Sequence, residues 1–393
     1  MNILISTLFN LNETCAGLNR VYKFSDALAP HGINCFIAGS GCSKGDWTFE
    51  EDKEFKKILF NRKKFSSIRH SNTMNYAAEA SKFYRNYLKD ISNQFHIDGV
   101  LIYSPQGEVV GPIIRIAREI GIFVLADCGE YYHLSAHYLF NGMIFQQVIF
   151  KYLQMKKLDG VIVPSPIWYQ RAEKLNLHRV LIPGISDKEK YRKHPSIRKK
   201  ISIVFMGRFL TREMPNVIFK ALSICKQRRI PFSFNVIGSK NKGYEERFWL
   251  KKLKDYKDLT DVTHLNGYIS DKDRDTTLSE ADIFIMLRPK NIETEHLFPS
   301  RVPEYLLSGN PVILSNTEPL NFFFKDGHGV KFISKKNNPL ELANLIEELA
   351  NSPSYRFNLG RRGREYAISN FSSRKMGLSL AEFLNSIKDN NSS

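Results

Sequence analysis

The chain has 393 residues, 42% of them hydrophobic and 25% charged, and carries a formal net charge of +17 at pH 7. This composition excludes a disordered chain, and the length suits two domains of ordinary size better than a single core. The apolar stretches all fall short of the roughly 18 residues that a membrane-spanning helix needs.

The first residues, MNILISTLFNL, have no basic segment and no small-residue cleavage site, so they are typical of a strand and not of a signal peptide. The five cysteines form no C-x-x-C pair, which favours reduced thiols over a zinc site or a disulfide framework. We therefore expect a protein of the cytoplasm.

The first half of the chain alternates apolar, β-rich runs with helical stretches such as residues 18–31. In chain order the runs are NILISTLF, INCFIAG, GVLIYS, IFVLAD, GVIVPS and RVLIPG. This alternation predicts a parallel sheet with helices on both faces, forming one domain over residues 1–184. The glycines of AGSGCSKG have neither the spacing of a dinucleotide fingerprint nor the ending of a P-loop, so no cofactor of either kind is expected.

Residues 53–69, KEFKKILFNRKKFSSIR, carry seven basic residues against one acid, with apolar side chains interleaved. Three interpretations remain open: a solvated charged surface, a patch that binds anionic lipid headgroups, and a nucleic-acid surface. The recognition motifs of nucleic-acid modules are absent from the sequence, so no nucleic-acid partner is expected. The lipid interpretation would place the protein peripherally on the inner face of the cytoplasmic membrane.

A polar, basic stretch at residues 185–200 separates the first domain from a second alternation of strands and helices. The strand-like runs of this second half are ISIVFMG, FSFNVIG, VTHLNG, ADIFIML, NPVILS and GVKFIS. They predict a second α/β domain over residues 201–371. Two doubly wound domains place a cleft between them, and ligands in such sheets bind beyond the carboxyl ends of the strands.

The segment FPSRVPEYLLSGNPVI, residues 298–313, predicts a short helix followed by a buried strand. Pro303 suits the first helical position, and Gly309 suits the left-handed residue after the last turn. Glu304 then lies in the first turn. It either complements the helix dipole or, with Ser300 and Arg301, belongs to a helix start that binds an anion.

In the order and spacing of several motifs, the chain resembles the retaining GT-B glycosyltransferases of glycosyltransferase family 4. The resemblance covers nearly the whole length and is strongest from residue 201 to residue 371. It is carried by IVFMGRFLTRE, FNVIGS, VTHLNGYISDKDRDTTLSEADIFIMLR, VPEYLLSGNPVI, DGHGVKF and NLGRRGREYAISNFS. The resemblance implies two Rossmann-like domains that face a cleft, with a last helix within residues 372–393 that returns to the N-terminal domain.

The same resemblance implies a donor site in the second domain. Arg208, after Gly207, matches the family's phosphate-binding arginine, and Glu304 matches the glutamate that accepts hydrogen bonds from the ribose hydroxyls. The family often has a lysine a few residues after the arginine. Arg212 is a fair substitute for that lysine, and Glu213 stands beside it.

The chain departs from the family pattern at the first glutamate, eight positions before the second, where it has His296 preceded by Glu295. The segment LFPSRVP also replaces the usual glycine-rich turn. This looks like a subset of the family in which Arg288, Ser300 and Arg301 contact the phosphates. The role of the first glutamate therefore stays open between His296 and Glu295.

The first half offers fewer candidates. Gly17 matches the family's glycine turn after the first strand, where the backbone approaches the donor. Asp127 and Glu130, in VLADCGEYYH, end a strand at the expected cleft edge. Asp127 is either a donor contact or an acid satisfied by its own domain.

The activity implied by the resemblance is transfer of a hexose, with retention, from a nucleotide-sugar to a surface glycan or lipid-linked acceptor, as in lipopolysaccharide or capsule biosynthesis. UDP-sugars are the favoured donors, no metal ion is expected, and Arg208, Arg301 and His296 are the catalytic candidates. Two alternatives stay open: a catalytically silent subunit that binds a glycan or a partner glycosyltransferase, and a sugar-nucleotide epimerase.

Overall fold

The computed structural model describes most of the chain. The described residues are 1–13, 15–42, 47–51, 55–61, 73–129, 143–186, 200–207, 213–238, 242–267, 269–334 and 337–392. The chain divides into two compact units. Unit 1 comprises Met1–Ile185 and Ser373–Ser393, and unit 2 comprises Ser186–Ser372.

Unit 1 is built on an eight-stranded sheet with the order β3-β4-β2-β1-β5-β6-β7-β8. The strands are β1 Asn2–Asn10, β2 Asn34–Cys42, β3 Trp47–Glu51, β4 Lys56–Asn61, β5 Gly99–Tyr103, β6 Phe123–Asp127, β7 Gly160–Val163 and β8 Arg179–Leu181. All neighbouring strands are parallel except β3 and β4. The helices are α1 Ala16–Leu28, α2 Thr73–Phe95, α3 Gly107–Glu119, α4 Met143–Ile149, α5 Pro166–Lys174 and, from the end of the chain, α14 Ser373–Ser392.

Both faces of this sheet are covered, as the apolar runs of its strands require. Leu4 and Val100 pack into a core with α2 and α3, whereas their neighbours Ile3 and Leu101 pack into a second core with α1 and α14. A π-helical turn, Phe150–Gln154, continues α4, and 3-10 turns occupy Ala29–His31 and Met155–Lys157.

The last helix, α14, belongs to unit 1, as the family resemblance predicted. Six of its apolar residues, between Met376 and Ile387, lie in the core that contains α1, and Gly377 lies against the backbone of Ala27. Near its end, Lys388 Nζ lies 2.8 Å from Asp98 Oδ1. Partial burial raises the pKa of Asp98, but the hydrogen bonds from Lys388 and from the Asn2 N–H outweigh it, so the pKa lies below its usual range.

Unit 2 contains a six-stranded, all-parallel sheet with the order β11-β10-β9-β12-β13-β14. Its strands are β9 Ile201–Met206, β10 Phe232–Ile237, β11 Thr263–Gly267, β12 Ile283–Met286, β13 Val312–Ser315 and β14 Val330–Ile333. Its helices are α6 Pro215–Gln227, α7 Lys242–Asp255, α8 Asp271–Glu280, α9 Ile292–His296, α10 Arg301–Leu307, α11 Glu318–Phe323, α12 Pro339–Asn351 and α13 Pro353–Phe371, with a 3-10 turn at Lys257–Leu259. Every run that the sequence predicted as a strand is a strand.

The sequence prediction missed the antiparallel pair β3 and β4, which lies in and before the basic segment 53–69. Ile58, Leu59 and Phe60 in β4 are buried in the cores of unit 1. They are therefore not available to a lipid surface, and that part of the expectation was wrong. Residues 62–69 lie outside the described part of the chain, as does most of the predicted linker, 187–199.

None of the helices formed by the described residues combines the length and apolar composition that a bilayer-spanning helix needs. None of the five cysteines, all of which lie in the described part of the chain, forms a disulfide.

The contact between α14 and α1 gives a stability prediction. A Cβ on Gly377 would lie 2.2 Å from the backbone oxygen of Ala27, so the helices must move apart to accept it. We expect Gly377→Ala to lower the free energy of unfolding by about 1 to 3 kcal/mol in urea titrations, because overpacking outweighs the better helix propensity of alanine. Leu378→Ala, at the half-exposed next position, is the control, and equal stability of the two variants would contradict the packing.

Candidate functional site

The carboxyl ends of three strands of unit 2 lie side by side, since β9, β12 and β13 are neighbours in the parallel sheet. Gly207 follows β9, Arg288 follows β12 within two residues, and β13 ends at Ser315. Ligands of parallel α/β sheets bind at this edge. The donor site predicted for the second half is therefore expected at these strand ends.

Helix α10 is attached directly to the end of β9. Arg301 Nη1 donates a hydrogen bond of 2.8 Å to the backbone oxygen of Met206, and the Tyr305 hydroxyl donates one of 3.2 Å to the same oxygen. The Tyr305 ring is buried and stacks on Phe284 of β12, with centroids 4.3 Å apart and planes 2° from parallel. Two strands thus fix the position of this helix.

The start of α10 differs by two residues from the prediction. The helix begins at Arg301 after Ser300, which places Pro303 at its third position and Glu304 at its fourth. A proline is accepted there because the first four N–H groups of a helix have no intrahelical partner to lose. The left-handed conformation predicted for Gly309 is confirmed by its φ of 79°.

Gly207 allows Arg301 to reach the end of the strand. Its N–H donates to the Ile237 oxygen at 3.0 Å, and a Cβ would lie 2.9 Å from the Phe205 ring and 3.3 Å from Arg301 Nη1. Any side chain here would press on the arginine. Arg208 and Arg212, predicted to follow this glycine as donor contacts, lie outside the described residues, and their roles remain predictions.

Charged groups gather around the Tyr305 hydroxyl. The pKa of Tyr305 is raised, mainly by burial. The guanidinium of Arg301 lowers this pKa, and the carboxylates of Glu304 and Glu213 raise it further. Glu213 is brought to this place because the next residue, Met214, donates its N–H to the Leu287 oxygen at the end of β12, at 3.1 Å. From the sequence, Glu213 was noted only because it lies near the position where the family often has a lysine, and it was given no role.

Arg288 continues the same edge. Its backbone N–H donates to Ser315 Oγ at 2.8 Å, and that hydroxyl donates to Asn337 Oδ1 at 2.9 Å. The hydrogen bond from Arg288 to Ser315 connects the ends of β12 and β13. It fixes the backbone of the partly buried Arg288 at the edge of the sheet. Its predicted phosphate contact is compatible with this position and remains a prediction.

Helix α9 carries the two candidates for the first glutamate. Glu295 Oε2 accepts the Glu318 N–H at the start of α11 at 3.2 Å, and His296 Nδ1 lies 2.6 Å from the Ile292 oxygen of its own helix. The contacts described for both residues are thus with the protein itself. The other acid of the helix, Glu293, is fully buried and was not singled out from the sequence.

In unit 1, Gly17 is the second residue of α1. A Cβ at Gly17 would lie 2.5 Å from the Phe9 ring and 3.1 Å from the Tyr103 ring, and these rings pack with centroids 5.6 Å apart. The glycine is therefore required for the packing of α1 on the ends of β1 and β5. A contact of its backbone with a donor stays a prediction.

Asp127, at the end of β6, is fully buried and forms a two-pronged ion pair with Arg20 of α1. Arg20 Nε lies 2.7 Å from Oδ2, and Nη2 lies 3.1 Å from Oδ1. Arg20 also donates to the backbone oxygens of Ile182 and Pro183, at 2.8 and 3.2 Å. Of the two interpretations left open by the sequence, these contacts favour an acid satisfied within its own domain. Glu130 lies outside the described residues.

The sequence of unit 2 matches a known protein family. Residues 187–366 match the family described as glycosyl transferases group 1. This part of the chain is a group 1 glycosyltransferase domain. The match includes every predicted site residue of the second half, from Gly207 to Glu304.

Solved structures similar to this chain cover the glycosyltransferase domain and unit 1 together. Sucrose-phosphate synthase from Thermosynechococcus elongatus has a TM-score of 0.74 at 14% identity, with 99% of each chain covered. A glycosyltransferase from Rickettsia africae has 0.72 at 16% identity, with the same coverage. HepE from Anabaena, solved with UDP, has 0.70 at 11% identity, with 98% of this chain and 100% of that chain covered. These likenesses show the GT-B fold, and no curated protein sequence matches the chain.

The ion pair in unit 1 gives a second prediction. Asp127→Asn leaves the guanidinium of Arg20, only 12% exposed, without its countercharge, and breaking a buried pair in this way costs about 3 to 5 kcal/mol of unfolding free energy. Glu365→Gln, which removes the exposed pair with Arg361, is the control and should cost under about 1 kcal/mol.

Urea unfolding measures both variants, and calorimetric titration of UDP into the folded proteins tests the donor role of Asp127. A stable Asp127→Asn protein with weakened nucleotide binding would show that the acid serves the donor and not the fold.

Proposed function

We propose that this protein transfers a hexose from a nucleotide-sugar, with UDP-sugars favoured, to a surface glycan or lipid-linked acceptor, with retention at the anomeric carbon. The group 1 family supports the glycosyl transfer itself. The choice of donor is supported by HepE, a similar structure solved with UDP and with UDP-glucose. A lipopolysaccharide outer core galactosyltransferase, WaaB, is also similar, with a TM-score of 0.64 at 12% identity, and suggests the acceptor class.

The observation that carries the proposal is the attachment of α10 to the end of β9. The two hydrogen bonds to the Met206 oxygen hold Arg301 at the strand edge before any ligand binds. A guanidinium has five N–H donors, so one bond to the backbone leaves further donors for the oxygens of a diphosphate. A cation fixed in advance requires little reorganisation when negative charge develops on the leaving group.

Three charged residues of the site have roles in the proposed transfer. The bond between the anomeric carbon and the phosphate oxygen breaks, and the electron pair stays on the nucleoside diphosphate. Arg301 and, by its family match, Arg208 stabilise this growing charge, while Glu304 accepts hydrogen bonds from the ribose diol. The acceptor hydroxyl attacks from the face that the leaving group vacates, and its proton passes to the leaving phosphate oxygen.

The residues at the end of α9 are also compatible with a catalytically silent subunit. The family's first glutamate is replaced by His296, and the neighbouring Glu295 is bonded to the start of α11. A glycan-binding subunit without activity would keep the fold and lose turnover. Slow hydrolysis in a panel of nucleotide-sugars would decide against that alternative.

The role of Glu304 can be tested by substitution. Glu304→Ala removes the charged acceptor of two ribose hydroxyls, a loss of roughly 1.5 to 3 kcal/mol, or about tenfold to a hundredfold in UDP affinity. Glu318→Ala, at the exposed first residue of α11, removes another acid at a helix start and should leave the affinity unchanged. Arg208→Ala should reduce turnover more than donor affinity, because the phosphate charge grows toward the transition state.

Calorimetric titration of UDP measures the affinities, and melting curves confirm that the variants fold. If Glu304 serves only the helix dipole, its loss costs under about 1 kcal/mol of stability and leaves UDP binding intact. That result would remove Glu304 from the donor site.

We also predict that transfer needs no added metal ion, because Arg208, Arg288 and Arg301 supply the positive charge that a divalent cation would otherwise bring to the diphosphate. Activity should be the same after dialysis against EDTA as before. Loss of transfer in EDTA, with recovery on adding Mg²⁺ or Mn²⁺, would contradict this assignment.

A further inference from the structure

An exposed apolar stripe lies on the surface of unit 1, on α4 and the π-helical turn that follows it. Eleven large hydrophobic side chains among the described residues are strongly exposed, and four of them fall within nine residues. These are Phe145, Val148, Tyr152 and Leu153, with exposures of 61%, 47%, 65% and 59%. We call these four residues the apolar stripe.

The stripe is the outer face of an element whose other face is well packed. Phe150 and Met155 are buried in the core of unit 1, and Gln154 donates to the Gly107 oxygen at the start of α3, at 2.7 Å. The spacing 145, 148, 152 is that of one helix face. The wider π-helical turn places Leu153 outward beside Tyr152. The exposure therefore does not result from a loosely attached segment.

Cations surround the stripe. Residues 143–157 contain three lysines and no acid, and Lys156 and Lys157 are exposed. Arg171 of α5 lies over the Tyr152 ring, with its Cζ 5.1 Å from the centroid.

Lys151 Nζ lies 5.6 Å from the centroid of the Trp168 ring, and Arg171 also lies near this ring. Burial, with a contribution from Arg171, lowers the pKa of Lys151 to about 8. A nearby anion would favour its charged form.

We propose that the apolar stripe and the lysines beside it bind the surface of an anionic lipid bilayer. Exposed aromatic and aliphatic side chains enter the boundary between headgroups and acyl chains, while lysines and arginines beside them contact lipid phosphates. A second copy of the chain is a poorer occupant, because two such surfaces would bring like charges together in a chain of net charge +17.

The apolar stripe lies at a different place from the lipid-binding patch that the sequence suggested at residues 53–69. Ile58, Leu59 and Phe60 are buried, so this segment cannot offer those side chains to a bilayer. The stripe provides the apolar component at another place in unit 1. The inference does not depend on the proposed function, since binding to lipid needs no donor.

Vesicle sedimentation tests the surface with matched pairs of variants of the full chain. Lys156→Glu with Lys157→Glu should lower partitioning onto phosphatidylglycerol-containing vesicles by more than tenfold, since each cation contributes about fivefold. Phe145→Ser with Leu153→Ser should lower it on the order of tenfold. The controls in unit 2, Lys251→Glu with Lys254→Glu and Leu250→Ser with Phe322→Ser, should sediment like the wild type.

Three results would overturn the proposal. The stripe variants could sediment like their controls, or the wild type could bind neutral phosphatidylcholine vesicles as well as anionic ones. Competition by soluble glycerol phosphate would indicate a phosphate site and not a bilayer surface. A dimer seen by light scattering without vesicles, and lost in Phe145→Ser with Leu153→Ser, would assign the stripe to a second copy. UDP titrations and melting curves of the same variants should match those of the wild type.

Discussion

One backbone oxygen, the carbonyl of Met206, fixes the arrangement of the candidate site. It lies at the end of β9, in the middle of the sheet of unit 2, and it accepts hydrogen bonds from both Arg301 and Tyr305. Because β9 is buried on both faces, this oxygen cannot move without disturbing the core. The position of α10, and with it the positions of Arg301 and Glu304, follows from this point. The absence of a side chain at Gly207 leaves room for the arrangement.

The two units use arginine differently at the carboxyl ends of their strands. In unit 1, two nitrogens of the Arg20 guanidinium donate to the two oxygens of a buried carboxylate, and the guanidinium also donates to two backbone oxygens. This is the environment of a structural ion pair. Arg301 in unit 2 is positioned by a neutral carbonyl at the sheet edge. A cation positioned in this way keeps its charge available to an anionic ligand, and this difference assigns the diphosphate to unit 2 in our proposal.

The strands of both sheets could be predicted from the sequence because buried parallel strands are short apolar runs bounded by turns and helices. The pair β3 and β4 was missed because two glutamates end β3 and two lysines precede the short apolar run of β4, so the count of charges concealed both strands. The helix at Arg301 was placed two residues late, since proline is accepted at more than one early helical position. The partner of Asp127 is 107 residues away along the chain, and Glu213 depends on a hydrogen bond to Leu287. Tertiary contacts of this kind leave no local pattern.

The central claim, that the edge of unit 2 around Met206 binds the donor nucleotide, can be tested on the intact protein by hydrogen exchange with mass spectrometry. UDP should slow amide exchange in peptides that cover residues 201–214 and 297–308, because the ligand contacts the loop after β9 and the start of α10. Peptides of unit 1 around Asp127 should change less. Unchanged exchange in both unit 2 segments at saturating UDP, with protection elsewhere, would contradict the account.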